Sequence, residues 1–182
     1  MTTGAEDRLS PRAREIAAAA RELLEEEGPA GLSMRKVAAR LGIQAPSLYK
    51  HLPDKQALES AVISMGFEEQ AAVFAPALES DDPLRTLAEV YRSYALAHPH
   101  LYRLMTDRPL HRDQLTPGAE QRTAAYAVTA AGGDPDLARA LWAFAHGMTI
   151  LELNGRFPEG ADLDAAWECG VTAFRGLARP VR

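Results

Sequence analysis

The chain has 182 residues, 47% of them hydrophobic and 25% charged, and its 20 Lys/Arg against 25 Asp/Glu give a formal net charge of −5. That length supports one large domain or a small one joined to a larger one, with a core of useful size, and the acidic balance excludes a strongly basic, non-specific nucleic-acid binder. A single cysteine, Cys169, excludes an intrachain disulfide, and no stretch approaches the roughly 18 uninterrupted apolar residues of a membrane span.

Charge is unevenly placed. Residues 1–64 hold nine Lys/Arg and nine Asp/Glu, so the whole excess of acid falls in residues 65–182, with eleven against sixteen. Any contact with a polyanion must therefore come from local placement of cations.

Residues 1–10 read as a mobile N-terminal tail, polar and without the apolar segment of a signal peptide. With one thiol and no membrane span, a cytoplasmic location is expected. Ser10-Pro11 is a helix start, with Ser10 as N-cap and proline in the first turn. Ile16, Ala19, Ala20, Leu23 and Leu24 then recur as a helical stripe, which ends at Glu25-Glu26-Glu27-Gly28-Pro29. The acid run there is read as solvated. Ser33 is the next N-cap, Val37, Ala38 and Leu41 face inward, and Gly42 stands where a left-handed C-cap is needed. A second short helix is predicted over 44–52, with Pro46 in its first turn, where a missing N–H does no harm. Pro53 breaks the chain, and Asp54 caps a helix from 55 to about 75.

Longer helices follow. They are predicted over 83–98, 100–105, 117–131, 135–154 and 163–177, with a polar irregular stretch at 106–116. On the helix opened by Asp134-Pro135, the residues Leu137, Leu141, Phe144, Ala145, Met148 and Leu151 form one side. On the last helix Trp167, Val171 and Phe174 do so, and Cys169 reads as an inert buried thiol. The reading is all-α with about nine helices and no sheet. It divides into an N-terminal helix-turn-helix three-helix domain at 11–54 and a C-terminal helical domain at 55–182, for which the resemblance given below implies ligand binding and dimerisation.

Residues 33–55 carry the chemistry. Two helices of about eight residues joined by a glycine turn form the helix-turn-helix unit, whose second helix enters the major groove by its N-terminal end. Gln44, Ala45 and Ser47 then face base edges, where Gln pairs with adenine and Ala meets a thymine methyl. Arg35, in the first turn of the supporting helix, is within reach of a guanine. Tyr49, Lys50, His51 and Lys55 hold phosphates and set register. The competing reading of each residue alone is a solvated helical hairpin, which the combined spacing of Gly42, Pro46, Tyr49, Pro53 and Lys55 disfavours.

Residues 11–65 resemble the DNA-binding domain of the TetR family of bacterial transcriptional regulators. The likeness runs through Ile16-Ala17-Ala18-Ala19, Leu32 to Ala38, Leu41-Gly42-Ile43, Pro46 to Leu52 and Lys55-Gln56-Ala57-Leu58. It implies that Arg35, Ala45, Pro46 and Ser47 approach bases and that Tyr49, His51 and Lys55 hold the backbone. Ala45 departs from the longer polar residue of the best-known members, so their operator preference does not transfer. His98 to Met105 and Trp142-Ala143-Phe144-Ala145-His146-Gly147 resemble the subgroup with a Trp…His-Gly motif in its regulatory domain.

The resemblance implies a homodimer formed through the last two helices, a double-stranded DNA operator as partner and a small-molecule effector that loosens the grip on DNA. Gly147 and Gly170 allow close helix approach, and Trp142, Phe144, Met148, Trp167 and Phe174 supply apolar area either for a dimer seam or for one protomer's core. Tyr91, Tyr94, His98, Tyr102, Met105 and His146 are the candidate ligand-binding residues, and core packing fits each of them as well. Among His51, His98, His100, His111 and His146 no pair has metalloprotease spacing, so no metal, cofactor or catalytic residue is expected. The functional expectation is a ligand-responsive transcriptional repressor that binds a palindromic operator. The alternative is a helical small-molecule-binding protein or enzyme with a vestigial helix-turn-helix.

Overall fold

A computed structural model describes residues 9–177 of the protein. Among the described residues there are nine α-helices and no strand, as the all-α reading expects. They are α1 (Pro11–Glu27), α2 (Met34–Arg40), α3 (Ala45–Leu48), α4 (Lys55–Phe74), α5 (Pro83–Ala97), α6 (Pro99–Thr106), α7 (Ala119–Ala130), α8 (Pro135–Leu153) and α9 (Leu163–Arg175). Most of the N-terminal tail expected at 1–10 lies outside the described residues.

The helices fall into two compact units. The first runs up to Glu69 and includes His98–Glu120, and the second holds Gln70–Ala97 and the residues from Gln121 onward. In the first unit α1 starts where the Ser10 hydroxyl accepts the Ala13 N–H at 3.2 Å, with Pro11 as its first residue. Its stripe of Ile16, Ala17, Ala20, Leu23 and Leu24 is buried together with Val37, Leu48, Leu58, Leu101 and Tyr102. The acid run at the end of α1 is not simply solvated. Glu25 Oε1 accepts the Leu101 N–H at 3.0 Å, Lys36 pairs with Glu27, and Arg40 pairs with Glu22 and Glu26. The stretch after α6 is pinned to α4, since the Ser64 hydroxyl accepts the Thr116 N–H at 2.9 Å and the Ser60 hydroxyl donates to Gln114 Oε1 at 3.3 Å.

The second unit is built on α5, α8 and α9. Leu84, Leu87, Ala88, Tyr91 and Tyr94 bury one side of α5, Ala138, Leu141, Ala145 and Thr149 one side of α8, and Trp167 and Val171 one side of α9. Arg92 ties the three helices together. It meets both oxygens of Glu152 at 2.9 and 2.8 Å and Asp164 at 2.6 Å, and its guanidinium lies 5.7 Å from the centre of the Trp167 ring.

Three expectations are corrected. Regular helix in the second short element spans only Ala45–Leu48. The Leu48 carbonyl accepts both the His51 and the Leu52 N–H at 2.9 Å, so residues 49–51 form a turn, and Pro53 disfavours helix at Leu52. Cys169 is exposed, because it stands two residues, about 200° of helix, from each of the inward Trp167 and Val171. On α8 the inward stripe is Ala138, Leu141, Ala145 and Thr149, while Leu151 is 42% exposed. Of the expected stripe Leu141 and Ala145 are buried, and Phe144 is half-buried against Trp167 and Phe174 of α9.

Candidate nucleic-acid interface

The helix-turn-helix segment is set by its caps. The Ser33 hydroxyl accepts the Lys36 N–H at 3.3 Å and starts α2. At the other end Gly42 has φ +65°, its N–H donates to the Ala39 carbonyl at 3.1 Å, and the Ile43 N–H donates to the Ala38 carbonyl at 3.0 Å. This pair of bonds is the Schellman closure, which needs a left-handed residue that glycine adopts without strain. It turns the chain sharply into α3. Gln44 stands at the N-cap of α3 and makes no capping bond with its side chain, so its amide is free for other partners. Asp54 caps α4 by accepting the Ala57 N–H at 2.8 Å.

One side of this segment is held and the other is open. Leu48 and Leu52 are buried against the rest of the unit, whereas Arg35, Gln44, Pro46, Ser47, Lys50, His51 and Lys55 are exposed, Tyr49 is 49% exposed and Ala45 is half-buried. The structure therefore brings all nine candidate DNA-binding residues into one short stretch of chain around α2, α3 and the start of α4. Such an arrangement offers amide, hydroxyl, imidazole and cationic donors from a rigid support, the equipment needed for base edges and phosphates.

Electrostatics divides the cations into two sets. Lys36 and Arg40 are spent on the carboxylates of α1, and the Arg40 hydrogen bond holds the Glu26 carboxyl below the ordinary carboxylate range while raising its own pKa. Arg35 and Lys50 form no ion pair among the described residues. Lys55 is shared, with Nζ 3.5 Å from Glu59 Oε1. Positive charge is thus neutralised behind α2 and left available in front of it.

The six candidate ligand-binding residues divide between the units. In the first, Tyr102 and Met105 are buried on α6, and His98 is half-buried with its Nδ1 3.5 Å from Arg21 Nη2. In the second, Tyr91 and Tyr94 are buried on α5, with the Tyr91 ring centre 6.3 Å from that of Phe74. His146 is half-buried on α8 and stacks on the exposed Trp142 at 5.9 Å between ring centres. A groove of about 420 Å³ lies within the second unit, walled by Arg85, Arg92, Asp164, Trp167 and Glu168. None of the six borders it. Trp167, considered for a dimer seam, is a core residue of its own unit, wedged edge-on against Phe144 at 5.6 Å.

Comparison with known proteins agrees with this architecture along most of the chain. Residues 16–62 match bacterial regulatory proteins of the tetR family, and residues 84–174 match a tetracyclin repressor-like C-terminal domain. An uncharacterized HTH-type transcriptional regulator of Mycobacterium tuberculosis is 31% identical over 155 residues, which is 79% of this chain and 71% of that one. A structure of a protein of unknown function from Rhodococcus sp. RHA1 superposes with a TM-score of 0.75 at 30% identity, covering 96% of this chain and 100% of the other. A TetR variant from Acinetobacter baumannii in complex with minocycline does so with a TM-score of 0.62 at 25% identity, over 94% of this chain and 99% of the other. With both parts matched and the donor face in place, the chain belongs to the TetR family of bacterial regulatory proteins and is a DNA-binding transcriptional regulator.

Proposed function

We propose that the protein represses transcription by binding a palindromic operator as a homodimer and that a small molecule releases it. The observation that carries this reading is the open face around α3: exposed donors over buried Leu48 and Leu52, with Arg35 and Lys50 free of ion pairs while the cations behind them are neutralised. In this reading residues 11–54 bind DNA and residues 55–182 regulate. Arg35, Gln44, Ala45, Pro46 and Ser47 address base edges, and Tyr49, Lys50, His51 and Lys55 hold phosphates. Two half-sites about one helical turn apart would match the two-fold axis of the dimer.

The regulatory half of the proposal draws on the minocycline-bound relative. An effector acts by preferring the form of the dimer whose DNA-binding segments are wrongly spaced, since only differential affinity links two sites. Tyr91, Tyr94, His98, Tyr102, Met105 and His146 are the residues we assign to effector binding. The protein acts in the cytoplasm, uses no cofactor and is not an enzyme.

Fluorescence anisotropy with the DNA just upstream of the protein's own gene, across a salt series, tests the reading. Saturable binding that outcompetes random DNA and weakens with salt is expected. Tyr49→Ala is expected to weaken binding to operator and random DNA by similar factors, and a loss confined to the operator would remove Tyr49 from the phosphate contacts. A folded dimer that binds no genomic fragment would return the protein to the class of helical ligand binders.

A further inference from the structure

Two cations meet on one carboxylate near the start of α4, and only one of them belongs to the helix-turn-helix segment. Lys55 Nζ and Arg108 Nη1 each stand 3.5 Å from Glu59 Oε1. Both cations are largely exposed, at 55% and 62% of their side chains, over a Glu59 that is 18% exposed. One negative charge thus faces two positive ones, and the local excess is a single cation at the edge of the donor face.

Arg108 comes from the stretch between α6 and α7, far along the chain but in the same compact unit. Its neighbours in sequence are already engaged. Arg112 grips both oxygens of Glu120 at 2.7 and 2.8 Å, and Arg103 pairs with Asp107 at 3.7 Å. Unlike the two-point grip of Arg112, Arg108 has a one-point contact of 3.5 Å in an exposed setting, on a carboxylate it shares with Lys55, a kind of pair that contributes little. Its position is nonetheless well defined. It follows the end of α6, where the Asp107 N–H donates to the Arg103 carbonyl at 2.9 Å, and the stretch beyond is pinned to α4 through Gln114 and Thr116.

We infer that Arg108 is a further contact to the DNA backbone: it leaves Glu59 for a phosphate when DNA engages the face of α3 and α4. A guanidinium has the planar fork that matches phosphate oxygens, and the contact it gives up is weak. The row of phosphate-holding groups then extends from Tyr49, Lys50, His51 and Lys55 onto a segment outside the helix-turn-helix. The inference rests on the reading of that face as the DNA-binding one. Glu59 acts as the resting place of both cations and as a competitor of the phosphates.

The test is anisotropy of the full chain with a fluorescein-labelled duplex of mixed sequence and with the DNA upstream of its gene, each across a salt series. Arg108→Ala should lower affinity roughly threefold to tenfold for both duplexes alike, and flatten the slope of log K against log salt by about 0.9 per bound protomer. Arg108→Lys should keep most of the slope, and Glu59→Gln should tighten binding. To separate a direct contact from an effect passed through Lys55, Arg108→Ala is repeated in the Glu59→Gln background, where the flattening should persist. An unchanged slope in Arg108→Ala, or one restored in the double variant, overturns the inference and leaves the DNA-binding face intact. Failure of the wild-type chain to bind either duplex overturns both.

Discussion

Arg35, Lys36 and Arg40 lie within two turns of one helix, yet the structure gives them different work. Lys36 and Arg40 face back to Glu27, Glu22 and Glu26 on α1, whereas Arg35 faces out and makes no ion pair among the described residues. Periodicity alone shows which of the three points outward. It does not show that the acid run of α1 meets the cations of α2, because that depends on how the two helices cross. The division makes a prediction. Arg35→Ala should relax preference at one base pair of each half-site, where a lost bidentate contact is worth about 1–3 kcal/mol. Arg40→Ala removes an exposed pair of small value and should leave preference unchanged. Selection of bound sequences from a randomised duplex pool reads both, and an Arg35→Ala pool identical to that of the wild type would exclude Arg35 from base reading.

At the scale of the element, starts and stops were the most legible feature of the sequence. Ser10, Ser33, Asp54 and Asp134 cap α1, α2, α4 and α8 with their side chains, and Gly42 takes the left-handed turn its position demands. Caps are local, so sequence carries them. Inward faces were less legible where a helix bears a broad apolar stripe. Of the broad stripe read on α8, Leu141 and Ala145 are buried and Phe144 packs on α9, while Leu151 is exposed, and only the packing against α5 and α9 makes that choice. Gly170 shows how tight that packing is. A Cβ placed there would stand 2.0 Å from Phe144 Cζ, while one at Gly147 would meet nothing within 4 Å. Of the two glycines that sequence marks for close approach, Gly170 serves it inside the unit. Phe144 cannot simply step aside, since its ring is also 5.6 Å from the ring centres of both Trp167 and Phe174. Gly170→Ala gains helix propensity of about 1 kcal/mol, but overpacking of this kind costs about 1–3 kcal/mol. The net expectation is a lower Tm with a changed near-ultraviolet signal of the tryptophans. A variant as stable as the wild type, with its tryptophan signal intact, would show that α9 shifts at no cost.

For the whole molecule, the question is what covers the outer side of α8. Trp142 is 54% exposed and Leu151 42% exposed on that helix, and nothing stands near Gly147. Single exposed apolar residues are ordinary on a surface, and Leu151 stands nine residues, about half a turn of helix, from Trp142, but an exposed tryptophan with His146 stacked on it is the residue type enriched in an interface core. The proposed dimer through α8 and α9 would bury Trp142 and use the open space at Gly147 for close approach of the partner helix. The inward-facing Trp167 contributes only by fixing α9. Trp142→Arg should therefore raise the dimer dissociation constant by tenfold or more, since truncating a buried aromatic anchor commonly costs over about 2 kcal/mol and about 1.4 kcal/mol is a factor of ten. Because the substituted side chain lies on the surface of its own protomer, the monomer should keep its helical content and its thermal transition. Sedimentation across a concentration series, read beside circular dichroism, separates the two effects. A folded Trp142→Arg protein that sediments as a dimer with wild-type affinity would move the interface elsewhere. A folded monomer that also loses operator affinity, while retaining weak binding to random DNA, would tie dimer geometry to operator recognition.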